Sequence, residues 1–183
     1  GTSVDKRLYG QHDPHWLDTH NEDNNLIMIY NNGAGRIPYF SSVDVIDTEH
    51  DNGVYTRPDS KAYGPIQLSW TIEDLSMEFS SPRVSGAQYL PNRSTLICAG
   101  NNYSVVEVTE SGEIAWIYEN PVSNFGPVSQ GEDRGGRDMF RSHKYSSSYS
   151  GFIDKDLSPG DVLVLNATED GCTFTDVATL EIK

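Results

Sequence analysis

The chain has 183 residues, and its 13 Lys and Arg against 27 Asp and Glu give a formal net charge of −14. Nucleic acids and anionic membrane surfaces require a basic face, so this acidic balance argues against both as partners. No run of about 18 apolar residues is present, and the sequence therefore predicts no membrane span.

Short strand-like runs follow one another along the chain, and apolar residues at helical spacing are nearly absent. The runs cover residues 26–30, 42–46, 68–72, 95–98, 104–108, 114–118 and 162–165. Turn-forming pairs separate them: Asn32-Gly33, Asn52-Gly53, Pro91-Asn92, Ser111-Gly112 and Pro159-Gly160. The sequence therefore predicts an all-β protein.

Aligning these runs reveals an internal repeat of four strands. The first copy contains Trp16, 25–29, 43–45 and Trp70, and the second contains Tyr89, 94–98, 106–108 and Trp116. Four strands per repeat is the pattern of a β-propeller blade. Residues 47–65 lengthen the first copy, and their polar, Gly- and Pro-bearing composition predicts a surface loop.

A third, incomplete unit is predicted to begin with a strand over Met139–Tyr145, which would put Arg141, His143 and Tyr145 on one face. We expect blades over 1–166, and a closing strand or small appendage over 167–183. Because a propeller needs about four to eight blades, these two and a half four-stranded blades predict the C-terminal portion of a larger propeller. The open side of the first blade would expose a strand edge and apolar surface. We therefore expect another chain, a second copy or a missing N-terminal half to cover it.

The densest group of chemically active side chains is Gln11-His12-Asp13-Pro14-His15. In an extended strand His12 and His15 would point to opposite faces, which argues against a shared metal ion. No His or Cys elsewhere has a spacing that completes a zinc site, so no metal and no other cofactor is predicted. The structural alternative is that one histidine packs in a blade and hydrogen-bonds Asp13.

Ser85 and Gln88 hold, in the second copy, the position that Gln11 and His12 hold in the first. Equivalent positions of successive blades converge on the propeller axis, so Ser85, Gln88 and His12 are predicted to line one pocket. The alternative is that Ser85 and Gln88 only fix strand ends.

Two arginines are candidates for binding an anionic substrate. Arg36 follows Asn32 in a turn-rich segment and could bind an anion bidentately, although a simple surface arginine is the alternative. Arg141 belongs to a locally basic stretch of an acidic chain. Cys98 and Cys172 could form one disulfide or remain two unrelated thiols.

These segments resemble the PAPS-independent arylsulfotransferase family over about the first 160 residues. The matching residues are Leu8–Leu17 with its Gln11-His12 pair, Asn25–Gly33, Tyr39–Asp44, Ser85–Asn92, Thr95–Cys98 and Val106–Tyr118. The Gln-His pair combined with the Asn-Gly turn is the most specific part, since many propellers share the strand pattern.

The resemblance implies a secreted or periplasmic propeller that transfers a sulfuryl group from a phenolic sulfate donor to a phenol acceptor. It places the nucleophile, which would form a sulfohistidine, at His12. The residue patterns make Gln11, His15, Asn32, Arg36, Ser85, Gln88 and Arg141 the candidates for substrate binding. The resemblance implies a hydroxyl role for Ser85, and neither His15 nor His143 corresponds to a family role. The family takes further histidines, an Asn and an Arg from upstream blades, which this sequence lacks, so activity would depend on those missing blades. The alternative is a non-catalytic propeller that serves as a binding or structural module on the cell surface.

Overall fold

The computed structural model describes residues 5–17, 25–55, 63–128, 132, 134–158 and 181–182. These ranges contain antiparallel strands and two short 3-10 turns but no α-helix, which confirms the all-β class. No helix in these ranges is long and apolar enough to cross a membrane. The strands are β1 (His12–Trp16), β2 (Leu26–Asn31), β3 (Ser42–Asp47), β4 (His50–Asp51), β5 (Val54–Tyr55), β6 (Trp70–Glu73), β7 (Gly86–Tyr89), β8 (Thr95–Ala99), β9 (Ser104–Val108), β10 (Ile114–Glu119), β11 (Val122–Ser123), β12 (Gly126–Pro127) and β13 (Glu181–Ile182).

Each copy of the sequence repeat forms one four-stranded antiparallel meander. The first sheet has the order β1-β2-β3-β6-β13 and the second the order β10-β9-β8-β7. The hairpin β4-β5 lies inside the insertion between β3 and β6, where Val54 and Tyr55 are exposed. Of the tail 167–183 the structure describes β13, which pairs with the outer side of β6.

One apolar core joins the two sheets. It combines alternate residues of the first sheet with alternate residues of the second, so one face of each sheet contributes to it. Its members include Met28, Tyr30, Val43, Val45 and Ile72 from the first sheet and Ala87, Ile97, Ala99, Val106 and Val108 from the second. The opposite face of the second sheet carries a smaller cluster of Leu90, Leu96 and Val105, against which Met139 packs.

The predicted strand over Met139–Tyr145 is wrong. This segment has no strand pairing, so Arg141, His143 and Tyr145 do not share a strand face. Its contacts instead run to loops and side chains: the Met139 backbone N–H donates to the carbonyl of Gly100, and that of Lys144 donates to the side-chain oxygen of Gln88. The predicted run 162–165 lies outside the described residues.

Candidate functional site

The site forms where the loop that links the two sheets meets the turn after β2. The linking loop, residues 80–85, is held by buried hydroxyl groups. The Ser41 hydroxyl donates to the carbonyl of Asn32, and its oxygen accepts the backbone N–H of Ser81. Because this network is buried and reaches both sheets, it fixes the turn after β2 relative to the second sheet.

Asn32 connects this network to His12. Its side chain is fully buried, and its amide nitrogen donates to the carbonyls of Ser81 (2.7 Å) and Val84 (2.9 Å). Its amide oxygen lies 2.7 Å from Nδ1 of His12. The carbonyl of Gly10 lies 3.0 Å from the same nitrogen.

These contacts select the tautomer of neutral His12. The two carbonyls fix the orientation of the Asn32 amide, so an acceptor oxygen faces Nδ1, and the second neighbour of Nδ1 is also an acceptor. Nδ1 must therefore carry the proton, which leaves the lone pair of a neutral ring on Nε2. The arrangement supplies a nucleophile or base with a defined direction.

A β-bulge at Asp13 changes the predicted relation between His12 and His15. His12 is opposite Tyr30 and His15 is opposite Met28, so three steps on β1 match two on β2. The expectation that the two histidines face opposite sides is therefore wrong, because strict alternation ends at the bulge. Nδ1 of His15 lies 2.8 Å from the backbone carbonyl of Asp13, so the contact with Asp13 that the structural alternative expects is present for this histidine.

Asp13 belongs to the cluster that the sequence singles out, but no substrate-binding or catalytic role is predicted for it from the sequence. Its backbone has a φ of 54°, a left-handed conformation that is uncommon outside glycine. Its side chain is only 10% exposed, and Oδ1 lies 3.2 Å from Nε of Arg141. A Cβ at Gly86 would lie 2.4 Å from Oδ2 of Asp13, so the absence of a side chain there leaves room for the carboxylate.

Residues 138–145, which we name the strap, bring Arg141 to this place. Asp138 pairs with Arg83 and with the side chain of Asn101. The Gln88 side chain accepts from the Lys144 backbone N–H (2.8 Å) and donates to the Lys144 carbonyl (3.1 Å). Gln88 thus binds the strap through both atoms of its amide, while Arg141 lies beside Asp13.

The contacts described for Ser85 and Arg36 are with residues other than His12. Ser85 is buried, and its hydroxyl donates to Ser81 and accepts the backbone N–H of Gly100, as the strand-end alternative expects. The guanidinium of Arg36 packs over the ring of Phe40 at 4.1 Å and donates to the Phe40 carbonyl. Burial lowers the pKa of Arg36. Gln11 is exposed immediately before β1.

No three His, Cys, Asp or Glu side chains converge as metal ligands within the part of the chain that the structure describes. Cys98 carries a free thiol inside the second sheet, and burial raises its pKa to about 11. Its sequence partner Cys172 lies outside the described residues. A cleft of about 330 Å³ between Trp70 and Tyr89 is lined by none of the predicted site residues.

Comparisons of the chain with protein-family models, with curated proteins and with solved structures found no match. The relation to arylsulfotransferases therefore stays a resemblance that rests on the residues quoted above.

Proposed function

We propose that the chain is part of an arylsulfotransferase-like β-propeller that transfers a sulfuryl group between phenolic sulfates and phenols, with His12 as the nucleophile. The two meanders would be neighbouring blades, and the protein would act in a secreted or periplasmic setting, as the resemblance implies. The observation that carries the proposal is the hydrogen bond from His12 Nδ1 to the buried Asn32 amide. It supports a histidine whose Nε2 lone pair is fixed in direction.

In the proposed first step, the Nε2 lone pair attacks sulfur. The N–S bond forms as the S–O bond to the phenol breaks, and the phenolate leaves with the electron pair and takes up a proton. The sulfated ring gains positive charge, which the acceptor oxygens of Asn32 and Gly10 would stabilise. In the second step an acceptor phenol loses its proton and attacks sulfur, and the N–S pair returns to Nε2.

The covalent intermediate divides one difficult displacement into two easier steps. In the first step the nucleophile is an imidazole that the protein already holds in place. Upstream blades would supply the remaining groups around the sulfuryl oxygens. Without these groups, fewer donors would stabilise the sulfuryl oxygens, and we therefore expect slow turnover from this chain alone.

The proposal is tested by mixing the full chain with 4-nitrophenyl sulfate and a phenol acceptor, while the release of 4-nitrophenol and the sulfated acceptor are both measured. We expect His12→Ala to abolish transfer and His50→Gln, a histidine on the β4-β5 hairpin, to leave it unchanged. Equal transfer by the His12→Ala variant contradicts the proposal.

A non-catalytic binding module is the second candidate. The observation that favours it is the set of large apolar side chains exposed on β10 and beyond: Trp116, Ile117, Tyr118, Phe125 and Phe140. Surfaces of this kind are typical of protein interfaces. Absence of transfer by a correctly folded chain, with its upstream segment present, selects this candidate.

A further inference from the structure

We infer that Asp13 is a positioning residue that orients Arg141 to bind a singly charged tetrahedral oxyanion, such as a sulfate monoester, beside His12. The inference deepens the proposed function and rests on it for the role of His12. Its own basis is the geometry of Asp13, Gly86 and Arg141.

Several independent features place the Asp13 carboxylate. The bulge puts its backbone at a φ of 54°, a conformation that a side chain adopts at a cost in free energy. Gly86 leaves the space into which Oδ2 reaches. The side chain is 10% exposed, and its charge faces Arg141 at 3.2 Å. A surface ion pair needs none of these features, so the carboxylate is built into the junction of the two sheets.

The ion pair uses one position of the guanidinium. Oδ1 of Asp13 lies 3.2 Å from Nε, and the same guanidinium carries two terminal nitrogens that together form a fork. That fork matches two oxygens of a tetrahedral anion. The Arg141 side chain is 60% exposed and therefore accessible to a ligand. Because Asp13 follows His12 directly in β1, the Arg141 guanidinium lies against the strand that carries the residue proposed to attack.

The charges around the strap favour a monoanion. Arg141 is matched by Asp13, Arg83 by Asp138 and Lys144 by Glu107. The strap therefore adds no excess positive charge, and the chain as a whole has a net charge of −14. A dianion such as a phosphate monoester is repelled more strongly here than a sulfate monoester, because repulsion grows with each added charge.

The test measures affinity instead of turnover. The full chain is titrated with methyl sulfate and, separately, with methyl phosphate, and binding is followed by calorimetry and by the NMR signals of the His12 ring. We expect methyl sulfate to bind more tightly than methyl phosphate. Arg141→Gln should weaken methyl sulfate binding roughly tenfold or more, the loss expected for charge-assisted hydrogen bonds.

Asp13→Asn separates positioning from simple charge balance. If Asp13 orients Arg141, the variant binds methyl sulfate several-fold more weakly. If Asp13 only neutralises Arg141, the variant binds it more tightly, which overturns the inference. Arg141→Lys should restore part of the affinity, since it keeps the charge without the fork. Arg93→Gln is the matched control and should leave the affinity unchanged, because Arg93 forms an exposed ion pair with Glu110 that does not involve the strap.

Failure of the inference and failure of the proposed function give different results. Binding that depends on Arg141 and Asp13, without sulfuryl transfer, rejects the transfer reaction and supports the inference. No binding of methyl sulfate, unchanged affinity in Arg141→Gln, or tighter binding of methyl phosphate overturns the inference. Thermal unfolding of each variant shows whether lost binding reflects lost folding.

Discussion

At the scale of single residues, the two consecutive asparagines after β2 do different work. Asn31 accepts the backbone N–H of Tyr9 and donates to the carboxylate of Asp44, so it fixes the segment before β1. Asn32 fixes the linking loop and the His12 ring. Asn31 therefore positions His12 through the backbone of the segment before β1, and Asn32 positions it through the imidazole ring.

The tautomer of His12 can be observed directly. We expect neutral His12 to carry its proton on Nδ1, because both neighbours of that nitrogen are acceptors. Long-range ¹H–¹⁵N NMR of the imidazole distinguishes the two tautomers. Asn32→Ala should lose this preference and about 2–4 kcal/mol of unfolding free energy, because the buried Ser81 carbonyl and the half-buried Val84 carbonyl lose their donor. A proton on Nε2 in the unaltered chain contradicts the site geometry.

Gly33, next to Asn32, tests whether the turn after β2 is sterically fixed. Gly33 has a φ of 73°, and a Cβ there would lie 1.9 Å from the carbonyl oxygen of Phe40. Gly33→Ala should lower the unfolding free energy by about 3 kcal/mol or more. The left-handed backbone and the clash of the added Cβ with the Phe40 carbonyl both contribute. Gly35→Ala is the control: its φ is 86°, but nothing lies within 4 Å of the added atom.

Gly35→Ala should lose only about 1–2 kcal/mol of unfolding free energy, which is the cost of the left-handed backbone. Chemical denaturation of both variants measures the difference. Equal losses would show that the loop moves away from the added methyl group, so that it does not hold Asn32 rigidly.

At the scale of elements, the strap is held on the second sheet by a buried carboxylate. Oε2 of Glu107 accepts from Trp116 Nε1 at 2.8 Å and from Lys144 Nζ at 2.5 Å. Burial by itself raises the pKa of Glu107, but the hydrogen bonds from Lys144, Trp116 and Asn92 outweigh it and leave the pKa below the usual 4.5. The Glu107 charge therefore stabilises the folded chain.

The pH dependence follows from the direction of this shift. Because the folded pKa lies below the unfolded value of 4.5, the stabilisation is present above 4.5 and disappears as the pH falls through the folded pKa. Glu107→Gln should cost about 1–2 kcal/mol of unfolding free energy at about pH 7, and the cost should be smaller at about pH 3. Denaturant unfolding at both pH values measures this.

Glu110→Gln is the matched control, since Glu110 pairs with Arg93 where both side chains are more than half exposed. Its cost should stay below about 0.5 kcal/mol at either pH. A pH-independent loss in Glu107→Gln would show that its packing, and not its charge, holds the strap.

The strap also shows why sequence periodicity has limits. Alternation over Met139–Tyr145 predicts a strand, but Arg141 and Lys144 bind the carboxylates of Asp13 and Glu107 on other elements. Such pairs join residues far apart in the chain, so no local pattern reveals them. Pro14 and the bulge at Asp13 similarly interrupt the alternation on which the prediction for His12 and His15 depends.

At the scale of the whole molecule, the features predicted from the sequence are those that depend on local alternation. Val43 and Val45, or Val106 and Val108, bury alternate side chains, and the repeat of four strands follows from such runs. The two meanders and the turns between their strands were therefore predictable. The shared core was not, because periodicity shows which side of a strand is apolar but not which sheet covers it.

The candidate site likewise has one part that the sequence predicts and another that depends on contacts between the sheets. His12 stands out in sequence as an imidazole beside Gln11 and Asp13. The part-buried Asn32–His12 hydrogen bond, the space at Gly86 and the Arg141 contact arise only when the two sheets come together. An Asn-Gly pair reads as an ordinary turn until its asparagine is seen to be buried.

The most direct measurement is the intact mass of the full chain after incubation with 4-nitrophenyl sulfate, followed by peptide mapping. We expect one added sulfuryl group, located on the imidazole of His12, lost on treatment with a phenol acceptor and absent from His12→Ala. No adduct on a folded chain with its upstream segment present, or an adduct that persists in His12→Ala, contradicts the assignment of His12 as the nucleophile.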